Sequence, residues 1–188
     1  MPTAYIGMGA NLPSPAGPPA ATLAAAAERM AALGTISARS HLYSTEPVGI
    51  TEQPRFVNAV VALETDLAPR QLLDALHAIE RAFGRNRPAE IRYGPRTLDL
   101  DILLLGETVV QEQDLEIPHP RLFERSFTLV PLNEIAPSFR DPHSGLSVTE
   151  WVQRLCTVPH HDDSAIIPIE SDLWRPGVEH DAGRSGAS

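Results

Sequence analysis

The chain contains no lysine, so every basic side chain is arginine, and the P-loop motif Gly-x-x-x-x-Gly-Lys-Ser/Thr is missing; Gly7-Met8-Gly9 is only a weak glycine signal beside it. A P-loop nucleotide site is therefore excluded, and any phosphate binding must use arginine and metal. The single cysteine, Cys156, rules out an internal disulfide and a cysteine-rich metal centre. With Val152 and Leu155 nearby it reads as a small buried hydrophobe without a chemical role. No apolar run reaches the roughly eighteen residues of a membrane span, and no basic segment followed by an apolar stretch opens the chain, so neither a span nor a signal peptide is expected and the cytoplasm is the default. Net positive charge is also lacking. A formal charge of -9 argues against nucleic acid as a partner, because such binding neutralises many phosphates with a basic surface.

What is present is unevenly distributed. Arg81, Arg85, Arg87, Arg92 and Arg96 stand against Glu90 alone, a local balance of +4 inside an acidic protein. At 188 residues and 43% hydrophobic content the chain suits one compact domain. We assign that domain to residues 1–156 and expect residues 157–188, with His160, His161, Asp162 and Asp163, to be a polar acidic extension without core.

Thr3 to Met8 predicts a strand, and Ala20 to Leu33 a helix with Leu23, Ala27 and Met30 on one face and Gly34 as its C-terminal cap. Thr35 to Ser44 looks extended, the Pro- and Gly-bearing stretch 46–54 reads as an active-site loop, and Phe56 to Thr65 resumes as a strand. Pro69 opens a helix whose Leu72, Leu76, Ile79 and Phe83 share a face, ended by Gly84. After the arginine loop, Leu98 to Leu105 is apolar enough for a central strand, and helical turns are expected over 120–135 and 148–155. Strand, helix, strand, strand, helix, strand is the split βαβ order of a ferredoxin-like α/β (α+β) sandwich, a mainly antiparallel sheet flanked by helices.

In the last of these strands alternation puts Asp99 and Asp101 on one face and Leu98, Leu100 and Ile102 on the other. Two converging carboxylates need cations. Arginines such as Arg96 or Arg92 would make a buried ionic network; Mg²⁺, which takes one or two carboxylates plus waters and phosphates, would make a catalytic site. The arginine loop alone is compatible with a solvated face, but beside the carboxylates it supplies what a polyphosphate needs. Asn58 interrupts an apolar strand on the same face as Phe56, and its amide offers donors and an acceptor either to a heterocycle or to neighbouring backbone.

These residues form a recognisable signature. Arg92-Tyr93-Gly94-Pro95-Arg96-Thr97-Leu98-Asp99-Leu100-Asp101-Ile102-Leu103 resembles the hallmark of the 6-hydroxymethyl-7,8-dihydropterin pyrophosphokinase family. Tyr5 to Leu12 is similar to that family's opening strand and turn, Tyr43 to Gly49 with Gln53 to Ala59 to its substrate loop and strand, and Ile117 to Arg121 with Arg125 to Phe127 to its third functional segment. Pro120 and Asp114 depart from the aromatic and basic residues some members carry there.

The resemblance implies a ferredoxin-like enzyme of folate biosynthesis, a Mg²⁺-dependent transferase that moves pyrophosphate from ATP to the hydroxymethyl of the dihydropterin and releases AMP. It implies two Mg²⁺ on Asp99 and Asp101, and catalytic phosphate neutralisation by Arg85 and Arg96. His77, Glu80, Arg85, Arg87, Arg96, His119 and Arg125 match ATP-binding positions, and Thr45, Val48, Phe56, Asn58, Tyr93, Asp99 and Phe127 match pterin-binding ones. ATP and the dihydropterin are the expected partners, with no nucleic acid or membrane, and a monomer is the expected state. A different Asp-x-Asp phosphoryl or nucleotidyl transferase and a non-enzymatic ligand-binding module are the alternatives. Loop closure over the substrates is expected, with water excluded before transfer.

Overall fold

A computed structural model of the chain describes residues 1–87, 91, 93–157 and 165–178. Arg92, Glu90, His160, His161, Asp162 and Asp163 lie outside the described residues. The elements are β1 (Thr3–Ala10), α1 (Pro19–Met30), β2 (Thr35–Arg39), β3 (Leu42–Thr45), β4 (Phe56–Glu64), α2 (Pro69–Ala82), β5 (Asp99–Leu105), β6 (Val110–Glu112), β7 (Leu115–Ile117), a 3₁₀ turn (Leu122–Glu124), α3 (Ser126–Ile135), α4 (Val148–Thr157), β8 (Ile167–Ile169) and β9 (Gly177–Val178). Among the described residues no helix is long and apolar enough to cross a membrane.

The main sheet runs β5-β1-β4-β2-β9, with β3 beside β4 and β8 outside β3, and all its pairings are antiparallel. Last strand, first, third, second is the ferredoxin-like order. Alternation sorts the faces. Ala4, Ile6, Met8 and Ala10 of β1, Ala59, Val61 and Leu63 of β4, and Leu98, Leu100 and Ile102 on β5 are buried against α1 and α2. On the other face Val60, Leu103 and Leu104 meet Leu129 and Leu132 of α3 and Val148 of α4. α1 and α2 both open on proline: Pro19 begins α1, and Pro69 follows Ala68, whose backbone N–H donates to Gln71 Oε1 at 3.1 Å. Gly84, at φ 87°, turns the chain out of α2.

Four expectations need correction. β5 is not central: among the described residues it pairs only with β1, and its apolar run reflects helices covering both faces of an edge strand. The cap of α1 is Ala31, not Gly34; Gly34 lies where a Cβ would fall 2.1 Å from the Glu64 carbonyl oxygen, so close backbone approach is its role. Cys156 is exposed, because Val152 and Leu155 are the inward residues of α4 and the next position is turned about 100° away. The extension is not coreless: it supplies β8 and β9, and Trp174 is buried in the main core.

Gly34→Ala should therefore cost about 2–4 kcal/mol, the price of forcing backbone apart at a packed junction, measured as a lowered denaturation midpoint with unchanged substrate KM values. A loss below ~0.5 kcal/mol would contradict the close approach.

Candidate active site

The register of three adjacent strands builds the floor of the site. Gly9 faces Asp99 on one side and Asn58 on the other; one step along, Gly7 faces Asp101 and Val60. With strands ~4.8 Å apart, Asp99 and Asn58 stand about 10 Å from one another across a glycine. A Cβ on Gly9 would lie 2.9 Å from Asn58 Oδ1, and one on Gly7 would lie 3.1 Å from Leu103 Cδ2. The glycines thus leave a hollow between two carboxylates and a carboxamide. Above it opens a cavity of about 880 Å³ on the α3 face, walled by the 46–55 loop, the Tyr93 to Arg96 segment and residues 119–128.

Charge is concentrated at the β5 edge. Leu100 N–H, which has no strand to pair with on that side, donates to Glu80 Oε1 at 2.8 Å. The same carboxylate, 1% exposed, accepts hydrogen bonds from Arg85 and, at 2.9 Å each, from Arg87 Nε and Nη2. Arg85 continues to Asp99, which also pairs with Arg96. Burial raises the Asp99 pKa, but the two guanidiniums outweigh it and hold the carboxyl below its ordinary range. Asp101 receives no hydrogen bond among the described residues; His119 Nε2 lies 4.0 Å from its Oδ2. Burial and the Asp99 charge push Asp101 up to about 7. His119 is lowered to about 4 by burial and then by Arg125, and its Nδ1 accepts the Arg121 backbone N–H at 3.2 Å, which leaves the proton on Nε2 facing Asp101.

The residues fit Mg²⁺. Two hard carboxylates share a cavity face, one of them without an ion pair to an arginine among the described residues, and room remains for waters and phosphates. Among the described residues no group of three or more His, Cys, Asp and Glu side chains offers a zinc-like set.

Comparison with known proteins gives the geometry its context. The sequence model of 7,8-dihydro-6-hydroxymethylpterin-pyrophosphokinase matches residues 5–137. The chain belongs to this family. It is 47% identical over 138 residues to the 2-amino-4-hydroxy-6-hydroxymethyldihydropteridine pyrophosphokinase of Pseudomonas aeruginosa, covering 73% of this chain and 83% of that one. The Haemophilus influenzae protein of the same name is 42% identical over 154 residues, covering 81% and 92%. The crystal structure of wild-type Plasmodium falciparum HPPK-DHPS superposes with a TM-score of 0.62 at 15% identity, over 81% of this chain and 44% of that one, so the chain spans under half of that protein and shares its fold. Pyrophosphate transfer to hydroxymethyldihydropterin, a step of folate synthesis with ATP as co-substrate, is the reaction of the family.

Of the residues expected at a pterin pyrophosphokinase site, Thr45, Val48, Phe56, Asn58, Tyr93, Arg96, Asp99, Asp101, His119, Arg125 and Phe127 all line the cavity. His77, Glu80, Arg85 and Arg87 do not. Glu80 and Arg85 are buried behind β5, because α2 packs on the opposite face of the sheet and reaches the site around the strand edge. There Arg85 bridges the Glu80 carboxylate to Asp99. Arg87 keeps an exposed guanidinium, and partly buried His77 is kept below its ordinary pKa by burial and the Arg87 charge. Asn58 is satisfied by a side chain rather than by backbone: its Nδ2 donates to Thr45 Oγ1 at 2.6 Å.

Sequence reasoning missed three groups: the floor glycines, Asn11 and Arg121. Buried Asn11 accepts Arg96 N–H at 2.7 Å and donates to Gln53 Oε1 at 3.0 Å and Pro54 O at 2.9 Å, joining both loops to the end of β1. Arg121 donates to the Tyr93 hydroxyl at 3.0 Å, and Gln53 Nε2 to the Tyr93 carbonyl at 2.8 Å, which together hold Tyr93 at φ 63°. A polar residue just after a strand and glycines two apart within it were the available signals.

Asp101 makes a pH-dependent prediction. Between the unfolded value of 3.8 and about 7 the folded chain keeps a proton that the unfolded chain has released, so this group's contribution to stability falls as pH rises through that window. Asp101→Asn should raise Tm at pH 8 by about 3 °C, on the order of 1 kcal/mol after solvent screening, and leave it unchanged at pH 3.5. Equal Tm values at pH 8 would remove the charge conflict.

Proposed function

We propose that this cavity carries out the whole pyrophosphoryl transfer in a single chain, with Asp99 and Asp101 as ligands to two Mg²⁺ ions. One observation carries the reading: Asp99, Gly9 and Asn58 lie in one row across the sheet, so the metal-ligating and heterocycle-reading groups face the same hollow. When bound, Mg²⁺ supplies charge neutralisation on the triphosphate. Every other role falls to the chain.

On the β4 side, Asn58 is oriented by Thr45, and its carboxamide reads the pterin edge while Phe56, Phe127, Tyr93 and Val48 enclose the ring. On the β5 side, His119 donates from Nε2 to a phosphate oxygen, and Arg125, half-buried beside Phe127, and Arg96 offset phosphate charge. Arg87 and His77 form the outer nucleotide rim, and Arg85 acts through Asp99. The hydroxymethyl oxygen forms a bond to the β-phosphorus and gives up its proton to solvent water, the bond from that phosphorus to the α–β bridging oxygen breaks, and AMP leaves with that oxygen. Positioning the two substrates in line is the largest service this rigid floor can render. Asp99's arginine partners suit a resting state: were the carboxylate to hold Mg²⁺, its pairing with Arg96 would weaken and that guanidinium could turn toward phosphate. A cytoplasmic monomer is part of the same proposal.

Incubated with ATP, Mg²⁺ and 6-hydroxymethyl-7,8-dihydropterin, the protein should give AMP and the pterin diphosphate in equal amounts by chromatography, whereas ADP would identify a different phosphoryl transfer. Asp99→Ala and Asp101→Ala should each lower kcat by at least about 10³-fold with far-UV dichroism retained. Near-normal turnover in either variant refutes the metal assignment, and turnover insensitive to chelation refutes the Mg²⁺ requirement.

A further inference from the structure

Residues 165–178 have no role in the chemistry above, yet they are fastened to the sheet at several points. β8 pairs with β3, Ser44 opposite Ile167 and Leu42 opposite Ile169; β9 pairs with β2, Ala38 opposite Val178. Between them Trp174, 3% exposed, donates its indole N–H to the Ser40 carbonyl at 2.7 Å. Ser40 is the kink that separates β2 from β3; its N–H donates to Val60 O at 2.9 Å and its Oγ accepts Val60 N–H at 3.0 Å. A large ring with its one donor satisfied is a strong local anchor, and here it is set where the outer strand changes direction.

The remaining link is Arg55. Its Nη2 donates to Ala165 O at 2.8 Å and to Ser44 O at 3.1 Å, its Nε donates to Ser44 Oγ at 2.8 Å, and it forms an ion pair with Glu46. Ser44 and Glu46 flank Thr45, which orients Asn58, and Arg55 immediately precedes Phe56. One guanidinium therefore ties both stems of the 46–55 loop to the extension. None of the hydrogen bonds described for residues 165–178 reaches Asp99, Asp101, Arg96, His119 or Arg125.

We propose that residues 165–178 are a brace that sets the pterin wall, fixing Thr45, Phe56 and the loop between them, and so controls affinity for the pterin but not for ATP. The brace rests on the assignment of that wall to the pterin. Physically, β3 is four residues long and leads straight into a loop; pairing on its outer side by β8 and anchoring at Ser40 remove freedom that the pterin would otherwise have to remove on binding.

The test uses the full-length chain carrying Trp174→Ala, Trp174→Phe or Arg55→Met, with Asn58→Leu as the control on the wall itself. Steady-state KM for both substrates is measured together with equilibrium binding of the pterin and of a non-hydrolysable ATP analogue, well below each variant's Tm. Trp174→Ala and Arg55→Met should each weaken the pterin about tenfold, the size of a lost charge-linked or buried hydrogen bond, while ATP stays within about twofold and kcat at saturation is kept. Trp174→Phe, which keeps the ring but not the N–H, should fall between. If Asn58→Leu leaves pterin binding unchanged, the wall assignment fails. If Asn58→Leu weakens the pterin while the brace variants do not, or if they weaken both substrates equally, the brace is overturned. Should Trp174→Ala not fold, Arg55→Met decides alone, since its side chain is one-third exposed and outside the core.

Discussion

The register of β5, β1 and β4 is the constraint on which the rest depends. It places Gly9 between Asp99 and Asn58, and Gly7 between Asp101 and Val60. A slip of one residue in β5 would send the carboxylates into the helix-covered core and bring Leu98, Leu100 and Ile102 into the hollow. The penalty for burying two carboxylates in an apolar layer makes that slip prohibitive. Core and site are thus specified by the same alternation: the leucines that anchor β5 against α2 also determine which way the aspartates face. The glycines add the second requirement, because any side chain at position 9 would collide with Asn58 Oδ1.

The edge position of β5 explains the charge pattern. A central strand would have satisfied Leu100 N–H with a neighbour; here Glu80 does so from α2, and its buried carboxylate then draws in Arg85 and Arg87. Buried ion pairs of this kind are weak evidence for stability, since desolvation offsets much of their attraction. Their consequence is orientation. Arg85 is wedged between Glu80 and Asp99, so the first aspartate is compensated while the second, two residues on and on the same face, is left with the repulsion of its neighbour. Two chemically identical side chains are driven in opposite directions from the ordinary carboxylate value by which one the arginines reach. Such divergence is the pattern of a functional site rather than of a settled ionic lattice.

Much of this was legible in sequence because it depends on periods. The helices followed from Leu72, Leu76 and Ile79, the facing of Asp99 and Asp101 followed from a period of two, and the polar interruption at Asn58 stood out in an apolar strand. What escaped was non-local. An apolar run reads alike in a central strand and in an edge strand covered on both faces, so the place of β5 was invisible. Glu80 sits in an amphipathic helix like any surface glutamate until the strand edge it caps is known. Trp174 stands in a polar stretch, and its burial depends on Ser40, more than a hundred residues away. Gly7 and Gly9 were readable as a strand face without side chains, but they resemble a phosphate loop when their strand setting is ignored.

The two walls of the cavity are mechanically linked by one amide. Asn11 bonds simultaneously to the Arg96 backbone and to Gln53 and Pro54, and Gln53 in turn holds the Tyr93 carbonyl. Gly49 adds a direct approach, with Tyr93 Cβ and Cγ 3.3 Å from where its Cβ would be. Neither loop can swing outward without breaking hydrogen bonds that belong to the other, and a buried amide left unpaired is costly. Opening is therefore a concerted event of the 46–55 loop and the Tyr93 to Arg96 segment, not two independent ones. The stems of those loops are held differently: the β5 side is rooted in Glu80 and Asp99, the β4 side in Ser44 and the C-terminal strands. If the two walls serve different substrates, as proposed, these separate foundations would let each substrate's affinity be set by its own wall while closure remains common to both.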